Sequence, residues 1–227
     1  MNIPSIFIVI PAFNEESVIR DVIKEVRDAG YGNIIVVDDG STDNTQSAAR
    51  NSGAIALRHK INRGKGAATK TGIEAAKLLE ADIIVTMDGD GQHAPKDIKK
   101  LVEPILKKHC DVVLGNRLAN PKGMPWCKIA ANHIGNFFTW WLFGLWVTDS
   151  QSGFRAYSRQ AAEIINTRAD RYDYDSEVIR EIYIYKLKFI EVPITVRYTE
   201  YSMGKYQRQG FINGIITLYK MIWKLIC

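Results

Sequence analysis

The sequence is poor in cysteine, and it lacks internal repeats and low-complexity runs. Its three cysteines, Cys110, Cys127 and Cys227, are an odd number at wide spacing, so neither a disulfide framework nor a zinc cluster is indicated, and a reducing cytosol is favoured. The first residues run into a strand-like apolar segment without a basic region or a cleavage site. We therefore expect no signal peptide.

The composition predicts one globular domain with an anionic partner. The 227 residues are 46% hydrophobic and 24% charged, which suffices for a substantial core. A formal charge of +5 with a pI near 9.0 fits nucleic acid, phospholipid headgroups or phosphorylated substrates. Nucleic acid is the weakest of these, because no recognised nucleic-acid motif is present and the aromatic residues cluster without interleaved basic ones. We expect no nucleic-acid partner.

Apolar, strand-like segments alternate with helical segments through the first 117 residues. Strands are predicted at 6–10, 34–37, 54–57, 83–86 and 111–114. Helices are predicted to run to about 29 after a turn at 11–16 with Asn14 as cap, over 44–51, from the 62–67 loop to about 79, and over 95–108. Further on, the predicted elements are a strand at 153–158, a helix at 174–185 and an extended segment at 189–198. This alternation predicts an α/β fold with a mostly parallel central sheet flanked by helices.

Two apolar segments stand apart from this alternation. Residues 129–148 carry no formal charge and include three tryptophans, a length that would permit a membrane span. Polar residues and glycines within the segment argue against spanning, so we predict amphipathic helices over 126–148 at the membrane surface, with a buried hairpin or dimer face as the alternative. A second amphipathic helix is predicted at 211–226, facing lipid, core or another subunit. The predicted division is a catalytic domain at 1–210 and a C-terminal helix at 211–227.

Acidic residues follow two of the predicted strands. Asp88 and Asp90 end the strand at 83–86, and such a pair at the carboxyl edge of a parallel sheet is suited to a divalent cation that holds a diphosphate. The alternative is an ordinary Asp-Gly turn. Asp38 and Asp39 end another strand, where a carboxylate can accept from a nucleobase or a ribose hydroxyl, or can merely cap the next helix.

A glycine-rich stretch at 64–71 precedes a predicted helix. Its spacing fits neither the dinucleotide-binding pattern nor the P-loop, so a dehydrogenase and a P-loop enzyme are not indicated. What remains is a helix N-terminus with Lys65, which is suited to an anion.

Six motifs occur in order along the chain: Ile10-Pro-Ala-Phe-Asn-Glu-Glu16, Val37-Asp-Asp-Gly-Ser-Thr-Asp-Asn-Thr45, Asn62-Arg-Gly-Lys-Gly66, Asp88-Gly-Asp-Gly-Gln-His93, Gly115-Asn-Arg117 and Asp149-Ser-Gln-Ser-Gly-Phe-Arg155. Together they resemble the motifs of the inverting family 2 glycosyltransferases of the GT-A fold, and most of all those of the dolichyl-phosphate mannose and glucose synthases. The resemblance covers nearly the whole chain, and it implies a GT-A domain that transfers a hexose.

The resemblance also implies a set of site residues. Those expected at the base and ribose are Pro11, Phe13, Glu15, Val37 and Asp39. Those expected to hold Mg²⁺ or Mn²⁺ and the diphosphate are Asp88, Gly89, Asp90 and Gln92, with Asp88, Asp90 and Gln92 as the metal ligands. The residues expected at the phosphates of the nucleotide sugar are Lys65, Arg117, Arg197 and Lys205, and those expected at the acceptor phosphate are Lys128, Asn132 and Arg155. Of these, Lys65, Arg155 and Lys205 are candidates because of their positive charge rather than because of the resemblance. Asp88, Asp90 and Arg117 are the predicted catalytic residues, and the segment 197–205 resembles a basic loop of the family.

The chemistry of glycosyl transfer limits what the acceptor requires. A departing nucleotide diphosphate needs cations to stabilise it. A phosphate acceptor is largely dianionic, with a second pKa of about 6, and it needs no general base, whereas a hydroxyl acceptor does. Asp149 either orients Arg117 or Arg155 or acts as that base, and we favour orientation.

The predicted function is metal-dependent transfer of a hexose from a GDP- or UDP-sugar to a polyprenyl or dolichyl phosphate, by a peripheral enzyme at the cytoplasmic face of a membrane. Transfer to a saccharide or glycolipid hydroxyl and non-catalytic nucleotide-sugar binding are the alternatives. Homo-oligomerisation or a membrane-anchored partner is left open.

Overall fold

The computed structural model describes residues 4–121, 124, 126–171 and 173–197, and of residues 127 and 128 the main chain only. A seven-stranded sheet carries the domain. Its strands are β1 (Ile6–Ala12), β2 (Asn33–Asp38), β3 (Ile55–Arg58), β4 (Ile83–Thr86), β5 (Val112–Asn116), β6 (Arg155–Ser158) and β7 (Phe189–Pro193). The helices are α1 (Ile19–Asp28), α2 (Thr45–Asn51), α3 (Lys65–Leu78), α4 (Ile98–Leu106), α5 (Trp126–Phe143), α6 (Arg159–Ile164) and α7 (Tyr174–Ile184), with a 3-10 turn at Pro95–Asp97.

The sheet is mostly parallel, as predicted. Its order is β3-β2-β1-β4-β6-β5-β7, and only β6 runs antiparallel to its neighbours, β4 and β5. The apolar pattern of 153–158 predicts a strand but carries no information on its direction. The antiparallel direction of β6 is therefore known only from the structure.

Two apolar cores lie on opposite faces of the sheet, because strand side chains alternate. In β1, Ile8 and Ile10 face the core beneath α1, α2 and α4. Phe7 and Val9 face the core beneath α3, α6 and α7. Both faces are covered, which explains why the central strands are continuous apolar runs.

The strand order reverses at β1. The chain leaves β1 for β2 on one side, and β4 pairs with β1 on the other. Open α/β sheets bind ligands in the crevice at the carboxyl edge beside such a reversal. The residues that follow β1 and β4 are therefore placed at one crevice.

The start of α1 differs from the prediction. The helix begins at Ile19 and Asn14 does not cap it. Asn14 has a positive φ of 54°, a conformation that asparagine tolerates better than most residues. Its Oδ1 accepts from the main-chain N–H of Thr42 at 2.9 Å, so Asn14 joins the loop after β1 to the loop after β2.

Other boundaries agree within a few residues. Pro95 opens the segment 95–108 as expected, although the first turn is 3-10. The short helix α6 was not predicted, because its six residues carry too little periodicity to show in the sequence.

A single helix, α5, occupies most of the predicted 126–148 region and ends before Gly144, which has a positive φ of 78°. Among the described residues, no helix is both long and apolar enough to cross a membrane. The predicted helix at 211–226, the domain boundary at 210 and the loop beyond residue 197 lie outside the described residues.

Close packing of α3 on the sheet gives a test of the fold. A Cβ on Gly72 would lie 2.3 Å from Val9 Cγ1, so Gly72→Ala should lower the free energy of unfolding by about 1–3 kcal/mol through overpacking. The matched control is Gly135→Ala in α5, where the nearest atom would be 3.8 Å away. That change should raise stability by roughly 0.5–1 kcal/mol through helix propensity. Chemical denaturation measures both, and equal effects of the two substitutions would contradict this packing.

Candidate active site

The carboxylates of Asp88 and Asp90 lie just beyond the end of β4, next to the N-terminus of α3. Lys65, the first residue of α3, places its Nζ 2.7 Å from Asp88 Oδ1. A Cβ on Gly153 would lie 2.5 Å from this nitrogen and 2.9 Å from the Asp88 oxygen. Glycine at 153 therefore leaves the room that the ion pair needs.

Asp88 and Lys65 hold each other in the charged state. Burial would raise the pKa of Asp88, but the Lys65 ammonium, together with His93 and the Arg117 guanidinium, outweighs burial and keeps that pKa well below its usual range. Burial would likewise lower the pKa of Lys65, and the carboxylates of Asp175 and Asp88 together raise it above its usual value. An anionic oxygen cluster with one fixed cation is thus present at neutral pH.

Asp90 has the opposite perturbation. Burial and then the neighbouring negative charge of Asp88 raise its pKa from 3.8 to about 6. One Asp90 oxygen accepts from the main-chain N–H of Gln92 at 3.0 Å. The two carboxylates therefore repel each other, and an added cation would relieve that repulsion.

These residues fit a divalent cation. Two carboxylates with an amide oxygen from Gln92 are hard ligands of the kind that Mg²⁺ and Mn²⁺ accept. No cluster of three or more His, Cys, Asp or Glu side chains suited to a metal occurs within the described part of the chain. A cation here would therefore need diphosphate oxygens or water to complete its coordination.

His93 supports Asp88 and was not among the predicted site residues. Its Nδ1 accepts from the main-chain N–H of Asp88 at 3.1 Å, and its ring stacks on Phe154 at 4.8 Å. Burial lowers the pKa of His93 to about 4, so the ring is neutral and can serve as this acceptor. The only indication of this role in the sequence was the position of His93 at the end of the motif that begins with Asp88.

A buried polar cluster lies beneath Asp88. Arg155 is 1% exposed, and its guanidinium donates to the Ser150 and Ser152 carbonyls at 2.8 Å each. It also lies 3.4 Å from Asp175, which is 3.7 Å from Lys65. The structure places Arg155 in the same cavity as Asp88 and Lys65, and its predicted contact with an acceptor phosphate stays a prediction. Asp175 was missed, because an acid in the first turn of a helix reads as ordinary dipole compensation.

Arg117 and Asp149 form a bidentate ion pair, which is the favoured arrangement from the sequence. Asp149 accepts from Arg117 Nε at 2.8 Å and Nη2 at 2.7 Å, and also from the Arg117 main-chain N–H at 2.8 Å. The Asp149 side chain is fully buried. Arg117 is close enough to Asp88 to help lower its pKa. The pair therefore fixes a cation beside the carboxylates.

The residues predicted for the nucleotide separate into two groups, of which the first lies at the crevice. Pro11 lines the same cavity as Lys65 and Asp88, and Gly89 packs against the Pro11 carbonyl. Glu15 is close enough to help raise the Asp90 pKa, and Phe13 is exposed.

The other two are directed inward. Val37 is fully buried in the core against α3, so the structure does not bring its side chain to the surface of the site. Asp39 is 2% exposed and accepts from the main chain of Arg63 at 3.0 Å and Gly64 at 2.7 Å, with the His59 ring at 2.7 Å. These contacts hold the loop before α3.

Arg197 lies across the turn that carries Asp90. Its main-chain N–H donates to the Gln92 carbonyl at 2.8 Å, and its guanidinium pairs with Glu25 at 2.5 Å and donates to the His93 carbonyl at 3.0 Å. Contact with a phosphate, as predicted, would require exchange of the Glu25 pair.

Three residues predicted for phosphate contacts remain, namely Asn132, Lys128 and Lys205. Asn132 is buried, with Nδ2 3.9 Å from Met124 Sδ. The Lys128 side chain and Lys205 lie outside the described residues.

Residues 7–165 match the family model described as glycosyl transferase family 2. The chain belongs to glycosyl transferase family 2. The match includes all six motifs and both aspartates of the candidate metal site. The predicted resemblance is thereby confirmed.

Relatives of the chain match it over most of its length. It is 42% identical over 222 residues to a UDP-N-acetylglucosamine–dolichyl-phosphate N-acetylglucosaminyltransferase of Methanococcus voltae, with 88% of each chain covered. It is 27% identical over 216 residues to the polyprenol monophosphomannose synthase of Mycolicibacterium smegmatis, with 89% of this chain and 80% of that one covered.

A solved structure confirms the GT-A fold. Glucosyl-3-phosphoglycerate synthase of Mycobacterium tuberculosis, in complex with Mn²⁺, UDP and phosphoglyceric acid, superposes with a TM-score of 0.70 at 24% identity. The match covers 96% of this chain and 78% of that one.

Burial of Asp90 and its repulsion by Asp88 predict a pH-dependent gain in stability for Asp90→Asn. Because the pKa in the folded protein is raised to about 6, ionised Asp90 destabilises the fold at neutral pH, and a tenfold change in an acid dissociation constant corresponds to about 1.4 kcal/mol. We expect Asp90→Asn to raise the unfolding midpoint of metal-free protein by several degrees at pH 7.5. The gain should shrink as the pH falls through about 6 and vanish near 4, where wild-type Asp90 is protonated.

Thermal unfolding between about pH 4 and pH 8 measures this effect. Asp21→Asn, in the first turn of α1, is the control and should show no such gain. A lower midpoint for Asp90→Asn at pH 7.5 would show that Asp88 and Asp90 do not repel each other in the folded protein.

Proposed function

We propose that the chain is an inverting glycosyltransferase that moves a sugar from a nucleotide sugar to a polyprenyl phosphate of the dolichyl type. The observation that carries this proposal is the placement of Asp88 and Asp90 beside Lys65 and Arg117, at the crevice between β1 and β4. Carboxylates for a cation, two fixed positive charges and a strand reversal are what a nucleotide diphosphate requires.

The donor site would act on the leaving group. A divalent cation bound by Asp88, Asp90 and Gln92 would supply Lewis acidity toward the departing diphosphate. Lys65 and Arg117 are positioned to stabilise the same negative charge. Because Asp149 holds Arg117 through three hydrogen bonds, this guanidinium needs no reorganisation when charge develops.

The contacts of Asp149 support a phosphate as the acceptor. Both of its oxygens accept from Arg117, and its side chain is fully buried, so it is poorly placed to remove a proton from a hydroxyl. A phosphate acceptor needs no such base. A dolichyl phosphate appears in the name of the M. voltae relative and a polyprenol in that of the M. smegmatis relative, and this supports the same acceptor class here.

The identity of the nucleotide sugar is a more specific part of the proposal. The resemblance seen in the sequence favoured GDP-mannose or UDP-glucose, whereas the relative from M. voltae with 42% identity is named for UDP-N-acetylglucosamine. We propose a UDP-linked sugar, with UDP-N-acetylglucosamine as the first donor to test.

Helix α5 supports attachment to a membrane surface. Its exposed side chains include Trp126, Ile134, Phe137 and Trp141, of which Trp141 is 62% exposed. Exposed aromatic side chains on a helix are suited to the interfacial region of a bilayer. We propose peripheral attachment through this face, at the cytoplasmic side, where a lipid phosphate would meet the donor site.

Transfer assays test the proposed reaction. Purified protein should transfer labelled sugar from one of UDP-N-acetylglucosamine, UDP-glucose and GDP-mannose to polyprenyl phosphate, in the presence of Mn²⁺ or Mg²⁺ and not of chelator. Asp88→Asn should lower turnover by at least about a hundredfold, because it weakens binding of the cation that would stabilise the leaving diphosphate.

Two results would overturn this proposal. Transfer to a saccharide or glycolipid hydroxyl but not to polyprenyl phosphate would establish the alternative acceptor. Donor binding without transfer to any acceptor would indicate a non-catalytic nucleotide-sugar-binding protein.

Vesicle binding tests the α5 surface. Phe137→Ser combined with Trp141→Ser should reduce sedimentation with anionic phospholipid vesicles several-fold, because it removes exposed aromatic surface, and should leave donor affinity unchanged. The control pair is Leu78→Ser with Leu106→Ser, two exposed leucines at the C-terminal ends of α3 and α4. Equal loss of binding in both pairs would contradict a membrane role specific to α5.

A further inference from the structure

Helix α5 packs on the domain through polar side chains and directs aromatic ones outward. Asn132, Asn136 and Thr139 recur at helical spacing, and all three are buried. Aromatic residues on the other side of the helix, such as Phe137 and Trp141, are exposed. A helix that meets its own domain through hydrogen bonds depends on a few directed contacts, because an unpaired buried polar group is costly.

Asn136 makes the central contacts of this polar face. It is 1% exposed. Its Nδ2 donates to the Thr148 carbonyl at 2.5 Å. Its Oδ1 accepts from the Ser150 main-chain N–H at 2.9 Å and from the Ser150 hydroxyl at 2.8 Å. One amide therefore holds the main chain on both sides of Asp149.

The segment around Asp149 is held from other elements as well. Thr148 donates to Glu191 of β7 through its main-chain N–H at 2.9 Å and its hydroxyl at 2.8 Å. Its hydroxyl also accepts from Asn116 of β5 at 2.5 Å. Glu191 also accepts from the Asp149 main-chain N–H at 3.3 Å, and Arg155 donates to the Ser150 carbonyl at 2.8 Å. Asn136 differs in that one side chain contacts both residue 148 and residue 150. The direction of the Asp149 carboxylate depends on both of its flanking peptides.

We propose that Asn136 is a positioning residue, which acts through Asp149 to fix the Arg117 guanidinium beside the donor site. This inference rests on the proposed function, in which Arg117 stabilises the leaving diphosphate. It also connects helix α5 with the segment around Asp149. The helix whose outer face we propose for lipid contact is hydrogen-bonded, through its inner face, to the segment that orients the catalytic arginine.

The kinetic test compares Asn136→Ala with Asp149→Asn and with the double variant. Asn136→Ala should lower the single-turnover transfer rate about tenfold while the donor dissociation constant stays within about twofold, because orientation of Arg117 matters most as charge develops. Asp149→Asn should have an effect at least as large. The double variant should match Asp149→Asn alone, since both residues act through one pathway and their effects are not additive.

Thr139→Val is the matched structural control. Thr139 is buried one turn further along α5, and its hydroxyl pairs with those of Ser150 and Ser176, at 3.3 and 3.2 Å. The substitution should lower thermal stability without a comparable loss of turnover. Asn136→Ser, which retains a hydroxyl for one neighbour, provides a milder variant whose loss of rate should lie between those of wild type and Asn136→Ala.

Hydrogen exchange gives a readout that does not depend on activity. The amide of Arg117, which donates to Asp149, and the amide of Ser150 should exchange faster in Asn136→Ala and Asn136→Ser than in wild type or Thr139→Val. Unchanged exchange at both amides would overturn the inference. Additive rate losses in the double variant, or an equal rate loss in Thr139→Val, would overturn it as well.

Transfer activity and hydrogen exchange test the proposed function and this inference separately. A wild-type protein without transfer activity would refute the proposed function. The exchange comparison would still decide whether Asn136 holds Asp149 and Arg117.

Discussion

Repulsion between two carboxylates on one turn is the constraint on which the site depends. Asp88 and Asp90 lie together at the crevice, and the negative charge of Asp88 helps to raise the pKa of Asp90. The protein contains this repulsion with Lys65 at 2.7 Å and, farther off, with Arg117. The same arrangement that costs stability in the free protein creates affinity for added positive charge, as is common at functional sites.

The supporting structure keeps these charges in place. His93 remains neutral and accepts from the Asp88 main chain, while Asp175 and Arg155 lie beneath Lys65. On the other side, both carboxylate oxygens of Asp149 are directed to Arg117. The charges of Lys65, Arg155 and Arg117 are thus held in place by neighbouring carboxylates, which suits the anionic acceptor proposed above.

Several features could be predicted from the sequence because they follow from local patterns. The strands of the parallel sheet and the Asp88 and Asp90 pair are of this kind. The sequence favoured an orienting role for Asp149 but left open whether its partner is Arg117 or Arg155, and the structure shows Arg117. The direction of β6 could not be predicted, since alternation of apolar residues is the same in either direction. The inward direction of Asp39 and Arg155 also escaped prediction, because it depends on neighbours distant in sequence. The polar residues of α5 could be read from the sequence, but their hydrogen-bond partners could not.

Calorimetric titration of UDP and GDP with and without Mn²⁺ tests the central claim most directly, because it measures the diphosphate site without an acceptor or a membrane. We predict that at least one nucleotide binds wild type at least about tenfold more tightly with Mn²⁺, and that Asp88→Asn and Asp90→Asn each abolish this enhancement. Nucleotide binding that is equally tight with and without Mn²⁺, or an enhancement that survives in both variants, would contradict the assignment of Asp88 and Asp90 as the metal and diphosphate site.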